Sequence, residues 1–279
     1  LTKAKEDGYA VGAFNTMNLE MTRAIIEGAH EALSPVIVQI TEKTMEYGGG
    51  RGMFHLVKND AEFYAPDIPV GIHLDHGKSF EIIQRSVDIG YTSVMYDGSD
   101  KEFPDNLLVT KKVTEFCHEK GVDVQAELGR VPYLGEGDMG NFKWDDYMTD
   151  PVQAKRFVEE TKVDALAVAI GNAHGFFQER KTPDYERLEK IREALDIPLI
   201  LHGASDWEED RVAEVIKRGI SCFNIDTAIR LAFLNNLIRS VREKRDITFD
   251  LRKLLGSSRE AVKDVVKRKI KMFGSEGKA

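Results

Sequence analysis

Cysteine is scarce in this chain. Cys117 and Cys222 are the only two in 279 residues, and no CxxC spacing accompanies them. That excludes a disulfide framework and a zinc ribbon, and it makes a reducing compartment, the cytoplasm, the default expectation. Long hydrophobic runs are missing as well. Nothing approaches the ~18–20 consecutive apolar residues of a membrane-spanning helix, and the charged opening LTKAKEDGYA does not read as a signal peptide. Positive charge is not in excess: 39 Lys and Arg stand against 47 Asp and Glu, a net charge of −8. A nucleic-acid partner bound through phosphate neutralisation is therefore not expected, and neither is a membrane. There is no low-complexity stretch, Pro/Ser-rich linker or charge break, so residues 1–279 read as one domain.

What the chain does have is enough apolar material for a sizeable core, with 42% hydrophobic and 9% aromatic residues. A short apolar run recurs after each amphipathic stretch: Tyr9–Phe14, Pro35–Ile40, Pro69–Leu74, Thr92–Tyr96, Val122–Leu128, Ala165–Ile170, Pro198–His202 and Cys222–Ile225. These runs are nearly continuous rather than alternating, as expected of parallel strands covered on both faces. Between them, Leu19–Ala32 carries an apolar stripe at helical spacing, and Asp150 followed by Pro151 signals a helix running to about Thr161. Asp184–Leu195 and Trp207–Arg218 show similar patterns, and Ser258–Phe273 reads as a basic amphipathic helix closing the chain. Residues Tyr133–Asp150, with three glycines and five acidic residues, read as a long loop after the fifth strand. Eight strands alternating with helices predict an α/β fold, a single (β/α)8 TIM barrel with a C-terminal helical extension; a doubly wound open sheet is the runner-up.

The polar residues collect at the strand ends. Asn15, Thr41, Asp75 with His76, Asp97, Glu127, His174, His202, and Asn224 with Asp226 end or follow strands one to eight in order. In a barrel these positions share the C-terminal rim, where barrel enzymes carry their sites. A single strand-end histidine is ordinarily a hydrogen-bonded core residue, but three of them beside Asp75, Asp97 and Glu127 have the composition of a catalytic metal site. In HLDHG (His73–Gly77), strand alternation puts His73 on the same face as Asp75, whereas His76 sits where the strand ends, so spacing leaves the ligand open between them. Gly175, Gly203-Ala204-Ser205 and Asn224-Ile225-Asp226-Thr227 adjoin the same rim, in the places where barrels cradle phosphate with backbone N–H groups. Arg230, one turn into the next helix, is placed to reach a second phosphate.

At these residues the chain resembles a known family. GAFN (Gly12–Asn15), SPVIVQ, HLDHG, SVMYDGS, AELGR (Ala126–Arg130), AIGNAHG, LHGAS, NIDTAIRLAF and the terminal FGSEGKA occur in order and nearly end to end. Together they resemble the class II, zinc-dependent fructose-1,6-bisphosphate aldolases of the wider ketose-bisphosphate aldolase family. The resemblance implies a zinc ion on His76, His174 and His202, with Glu127 as a nearby or alternative ligand that, with Asp97, matches positions where some members bind a second metal. It also leaves room for a monovalent cation. It implies Asp75 as the catalytic acid/base and Glu136, in the loop after AELGR, as the residue for proton exchange. Gly175, Gly203, Ala204, Ser205, Ile225, Asp226 and Thr227 would hold the dihydroxyacetone phosphate end. Asn224 would contact its hydroxyl and carbonyl region, Arg230 the distal phosphate, and Asn15 and Thr41 would complete the substrate site. A homodimer or homotetramer is the family's habit.

The implied reaction is reversible cleavage of fructose 1,6-bisphosphate to dihydroxyacetone phosphate and glyceraldehyde 3-phosphate. Breaking C3–C4 leaves a carbanion, so negative charge must be absorbed at the C2 oxygen; a metal does this, or a Schiff-base lysine. No strand ends in a clear lysine, which favours the metal. The departures from the family pattern are Gln178 in place of a phosphate-side lysine, with Arg180 and Lys181 nearby, a longer VPYLGEGD loop (Val131–Asp138), and Ala228. They keep tagatose 1,6-bisphosphate or another phosphorylated ketose or keto-acid as the alternative substrate. A non-catalytic phosphosugar-binding protein and a zinc hydrolase barrel are weaker alternatives, because binding alone does not require Asp75 and the first strand lacks a histidine pair.

Overall fold

The computed structural model describes residues 1–132, 143–174, 182–243 and 250–279. Eight strands, β1 (Val11–Asn15), β2 (Val36–Thr41), β3 (Val70–Gly77), β4 (Ser93–Tyr96), β5 (Asp123–Leu128), β6 (Ala165–Val168), β7 (Leu199–Leu201) and β8 (Ile220–Ile225), close into a parallel barrel in sequence order. β8 pairs back onto β1 with Gly12 opposite Phe223 and Ala13 opposite Asn224. Among the described residues the helices are α1 (Thr2–Asp7), α2 (Leu19–Glu31), α3 (Glu42–Gly48), α4 (Gly50–Tyr64), α5 (Phe80–Ile89) and α6 (Phe103–His118), then α7 (Pro151–Thr161), α8 (Tyr185–Ala194), α9 (Glu209–Lys217), α10 (Thr227–Glu243) and α11 (Leu251–Phe273). The fold is the TIM barrel expected from the sequence.

Local chemistry starts and stops these helices. The side chains of Asn18, Ser79, Asp150 and Asp184 accept the orphan backbone N–H groups of Met21, Ile82, Gln153 and Arg187, at 2.9, 3.3, 2.8 and 3.0 Å. Pro151 occupies the first turn of α7, as its sequence signature requires. One helix boundary differs from expectation by several residues. The closing helix, expected over Ser258–Phe273, begins at Leu251 and runs through Gly256-Ser257-Ser258. Ser257 Oγ lies 2.9 Å from the Leu254 carbonyl and 2.9 Å from Asn236 Oδ1 on α10, so the polar pair ties two helices together instead of ending one.

Alternation along the strands builds two layers. Phe14, Val38, Leu74, Val94, Ala126, Leu166, Leu201 and Phe223 face outward into the main core beneath the helices. Inside the barrel, Ala13, Ile37, Ala165, Ala167, Ile200 and Cys222 form a separate small apolar plug. α1 packs near the opposite end from the rim, where Ala4 meets Tyr9 and Val11. Above the plug the inward side chains turn polar, and the layer they form is the floor of the site.

Candidate active site

Three imidazoles converge at the C-terminal mouth. The candidate ligand nitrogens of His76, His174 and His202 all lie within 4.8 Å of one another, and His76 Nε2 faces His202 Nδ1 at 3.1 Å. His76 reaches this position through its backbone. Its φ is +52°, a rare conformation for a side chain with a Cβ, and the pairing of β3 with β4 is irregular between Leu74 and Gly77. The left-handed turn breaks strand alternation and brings His76 to the mouth beside Asp75. His73 points inward too, as alternation predicts, but one layer deeper, with Nδ1 2.8 Å from Ser93 Oγ. It does not join the cluster.

The loops that carry the other two histidines are locked together. Asn172 donates to the His202 carbonyl at 2.9 Å while its Oδ1 accepts the Ile170 N–H at 2.8 Å. The His174 N–H donates to the Pro132 carbonyl at 2.9 Å. Gly203, at φ +66°, lets β7 pass so close that a Cβ there would stand 2.3 Å from the Ala173 carbonyl oxygen. Only glycine fits both the φ and the clearance.

A second donor set shares His76 and adds Asp97 and Glu127. Asp97 Oδ2 lies 2.7 Å from His76 Nδ1 and 2.7 Å from Lys78 Nζ, and its Oδ1 accepts from the Ser99 N–H at 3.1 Å and from the Ser99 hydroxyl at 2.7 Å. Glu127 Oε1 accepts the Val131 N–H at 3.3 Å, while the buried Oε2 has no hydrogen-bond partner and lies 3.6 Å from His202 Nδ1. Two ring nitrogens face to face beside an orphaned carboxylate oxygen form a donor set that a divalent cation satisfies. The electrostatics agree. Burial holds His174 down to about 3 and His202 well below the usual imidazole range, so both offer neutral lone pairs. Burial also lowers His76, but Asp75, Asp97 and Glu127 outweigh it and hold His76 up to about 9. Burial, reinforced by Asp97, raises Glu127 to about 8. A divalent cation held by the three imidazoles would displace the extra proton on His76, and its charge would disfavour the one on Glu127.

Asp75 sits 3.8 Å from His76 Nε2 in a ring of amides. Asn15 Nδ2 donates to Oδ2 at 2.7 Å, and Asn224 Nδ2 and Gln39 Nε2 approach Oδ1 at 3.3 and 3.5 Å. Four strands of the barrel thus meet on one carboxylate. On the β7–β8 side, Ala204 and Ile225 are buried, so their backbone is what they present, and Ser205 and Asn224 are buried with them. Arg230 is exposed and pairs with Asp226 at 2.8 Å, and Thr227 opens α10. Thr41 Oγ1 accepts the Thr44 N–H at 3.2 Å as the cap of α3. Gly175, Glu136 and the Gln178–Lys181 group lie outside the described residues.

Gln39, Lys78, Ser99 and Gln125 went unread in the sequence, and Asn224, read there as a substrate contact, also reaches the histidine cluster. Gln125 and Asn224 both place a side-chain nitrogen 2.9 Å from His202 Nε2, on the ring edge opposite His76. Alternation in VDVQAEL, which puts Gln125 on the Glu127 face, was the available signal. Gln39 and Lys78 find their partners, Asp75 and Asp97, on neighbouring strands, which no spacing rule conveys, whereas Ser99 bonds Asp97 two residues before it in a short local turn.

Residues 1–278 match the family model for class II fructose-bisphosphate aldolase. A fructose-bisphosphate aldolase of Thermus caldophilus is 41% identical over 302 aligned positions, covering 100% of this chain and 97% of that protein. One from Helicobacter pylori strain J99 is 40% identical, with the same coverage. Among solved structures, the YdjI aldolase of Escherichia coli K12 superposes with a TM-score of 0.85 at 36% identity, covering 99% of this chain and 96% of that one. A Campylobacter jejuni fructose-bisphosphate aldolase shares the fold, with a TM-score of 0.83 at 21% identity and coverage of 99% and 93%.

Proposed function

Because the chain belongs to the class II fructose-bisphosphate aldolase family, we propose that it reversibly cleaves fructose 1,6-bisphosphate to dihydroxyacetone phosphate and glyceraldehyde 3-phosphate, with zinc on His76, His174 and His202. The observation that carries this reading is the convergence of three imidazoles beside a carboxylate, Asp75, that is wrapped in neutral amides. A divalent ion bound by neutral imidazoles supplies an electron sink for the substrate C2 carbonyl. The protein's own residues do the rest. In cleavage, Asp75 accepts the proton of the C4 hydroxyl as C3–C4 breaks, and in condensation it returns that proton. The amides of Asn15, Gln39 and Asn224 keep both carboxylate oxygens oriented and compensate charge without a competing cation.

The phosphate ends are assigned to the β7 and β8 loops. The N–H groups at Gly203 and Ser205 and the N-terminus of α10 at Thr227 take the dihydroxyacetone phosphate end. Arg230 swings from Asp226 to the distal phosphate, and Glu136 serves proton exchange. Among the described residues no helix is long and apolar enough to cross a membrane, and we place the protein in the cytoplasm. We assign it a homodimer or homotetramer, supported by exposed Leu234, Ile238 and Val241 along one side of α10.

The test is cleavage of fructose 1,6-bisphosphate with and without EDTA, followed by zinc add-back. The expected result is turnover that EDTA removes and zinc restores. Turnover indifferent to EDTA would overturn the metal reading. A folded, zinc-loaded protein that cleaves tagatose 1,6-bisphosphate but not its C4 epimer would move the substrate and keep the chemistry.

A further inference from the structure

The two donor sets share His76 but use opposite edges of its ring. Nε2 faces His202, and Nδ1 faces Asp97. An imidazole that gives its Nε2 lone pair to a cation carries its proton on Nδ1 and donates it to Asp97 Oδ2. That oxygen is already shared with an ammonium, Lys78 Nζ, at 2.7 Å, and Asp97 Oδ1 is taken by the two Ser99 donors. Four donors therefore converge on one carboxylate, two to each oxygen, which uses its ordinary accepting capacity. Lys78 is not a loose surface lysine at its root. It follows Gly77 at the end of β3, and its backbone N–H donates to Glu42 Oε1 at 2.6 Å, fixing the turn that aims the side chain at the site.

Resting on the metal reading above, we propose that Lys78 is the built-in second cation of this site. Its ammonium occupies the Asp97 side of the His76–Asp97–Glu127 set, so the chain binds one divalent ion, on the three histidines, and does not take a second. Asp97 then works as a positioning residue that fixes the tautomer and ring orientation of His76 rather than as a ligand. A fixed single positive charge stands where a mobile divalent one would otherwise neutralise two neighbouring carboxylates. The geometry separates this from a generic surface pair: Asp97 is buried while Lys78 keeps 48% of its side chain exposed, so the lysine reaches down to the carboxylate.

The experiment is metal stoichiometry on the full-length protein, stripped with EDTA, re-equilibrated in excess Zn2+, freed of unbound ion and measured by elemental analysis. The wild type is expected to hold one equivalent per chain. Lys78→Met, which keeps the stem and removes the charge, is expected to hold two, and Lys78→Arg is expected to return to one. In Lys78→Met combined with Asp97→Asn the second equivalent should vanish, which assigns it to this set and not to the surface. Two equivalents in the wild type, or one in Lys78→Met, would overturn the proposal, as would a second equivalent that survives Asp97→Asn. Wild-type protein that takes up no zinc brings down the metal reading itself, a distinct result. Lys78 is half-exposed, so its replacement leaves the fold intact, and a matching melting curve checks this.

Discussion

Asp75 draws its polar partners from across the barrel interior. Asn15, Gln39 and Asn224 reach it from three other strands, and none of them carries charge. Its place in HLDHG was legible because a strand-end carboxylate beside a histidine is chemically suggestive. The amide ring was not legible, since each member looks like an ordinary strand residue until closure brings β1, β2, β3 and β8 together. Asp75 lies outside the three-histidine set, so Asp75→Ala should separate binding from chemistry. We expect kcat to fall by roughly 10²–10⁴-fold with zinc content unchanged, measured by steady-state kinetics alongside metal analysis. Loss of zinc together with activity would make Asp75 a structural support. The HLDHG ambiguity had the same origin: alternation is right for His73 and fails at His76, where φ turns positive, and backbone sign is not written in residue type.

At the scale of elements, strands were easier to find than their ends. β7 shrinks to Leu199–Leu201, while β3 extends through Gly77 and β8 begins earlier, at Ile220, than its apolar run suggests. Apolar composition marks what is covered on both faces, and the hydrogen-bond ladder continues into polar residues wherever a neighbour supplies partners. α11 shows the converse, a helix continuing through a Gly-Ser-Ser stretch because α10 engages its hydroxyls. It is also anchored at its far end. Phe273 stacks on Phe223 of β8 with ring centroids 4.5 Å apart and planes within 9°. The C-terminal helix is thus bolted to the strand whose end carries Asn224. Phe273→Ala should cost about 3–5 kcal/mol in urea unfolding. A loss within experimental error would mean that α11 docks through its packing on α2 and α10 and not through the ring stack.

For the whole molecule, closure is what the sequence conveyed most directly. Eight apolar runs, each followed by a helical pattern and ending in a polar residue, admit few arrangements other than a ring with one functional rim. The proposed zinc ligands come from the end of β3, the segment after β6 and the end of β7, so a bound ion ties together parts of the rim that are separate in sequence. Metal binding should therefore appear as global stability. At zinc a thousandfold above its Kd the native state gains about 4 kcal/mol, and for a chain of this size that raises Tm by roughly 7 °C. Calorimetry of stripped and zinc-loaded protein checks this. Coincident melting curves would show that the histidine cluster does not bind the ion in the folded state.

The approach of Gly203 to the Ala173 carbonyl has a bearing on how such a rim keeps its tolerances. His174 and His202 stand on two segments that touch backbone to backbone, with room between them for hydrogen and nothing larger. The gap between those imidazoles is therefore gauged by main-chain contact, not by the packing of side chains that can drift. Neighbouring sequence can change without resetting that gauge, but the gauge fails once any Cβ is introduced at position 203.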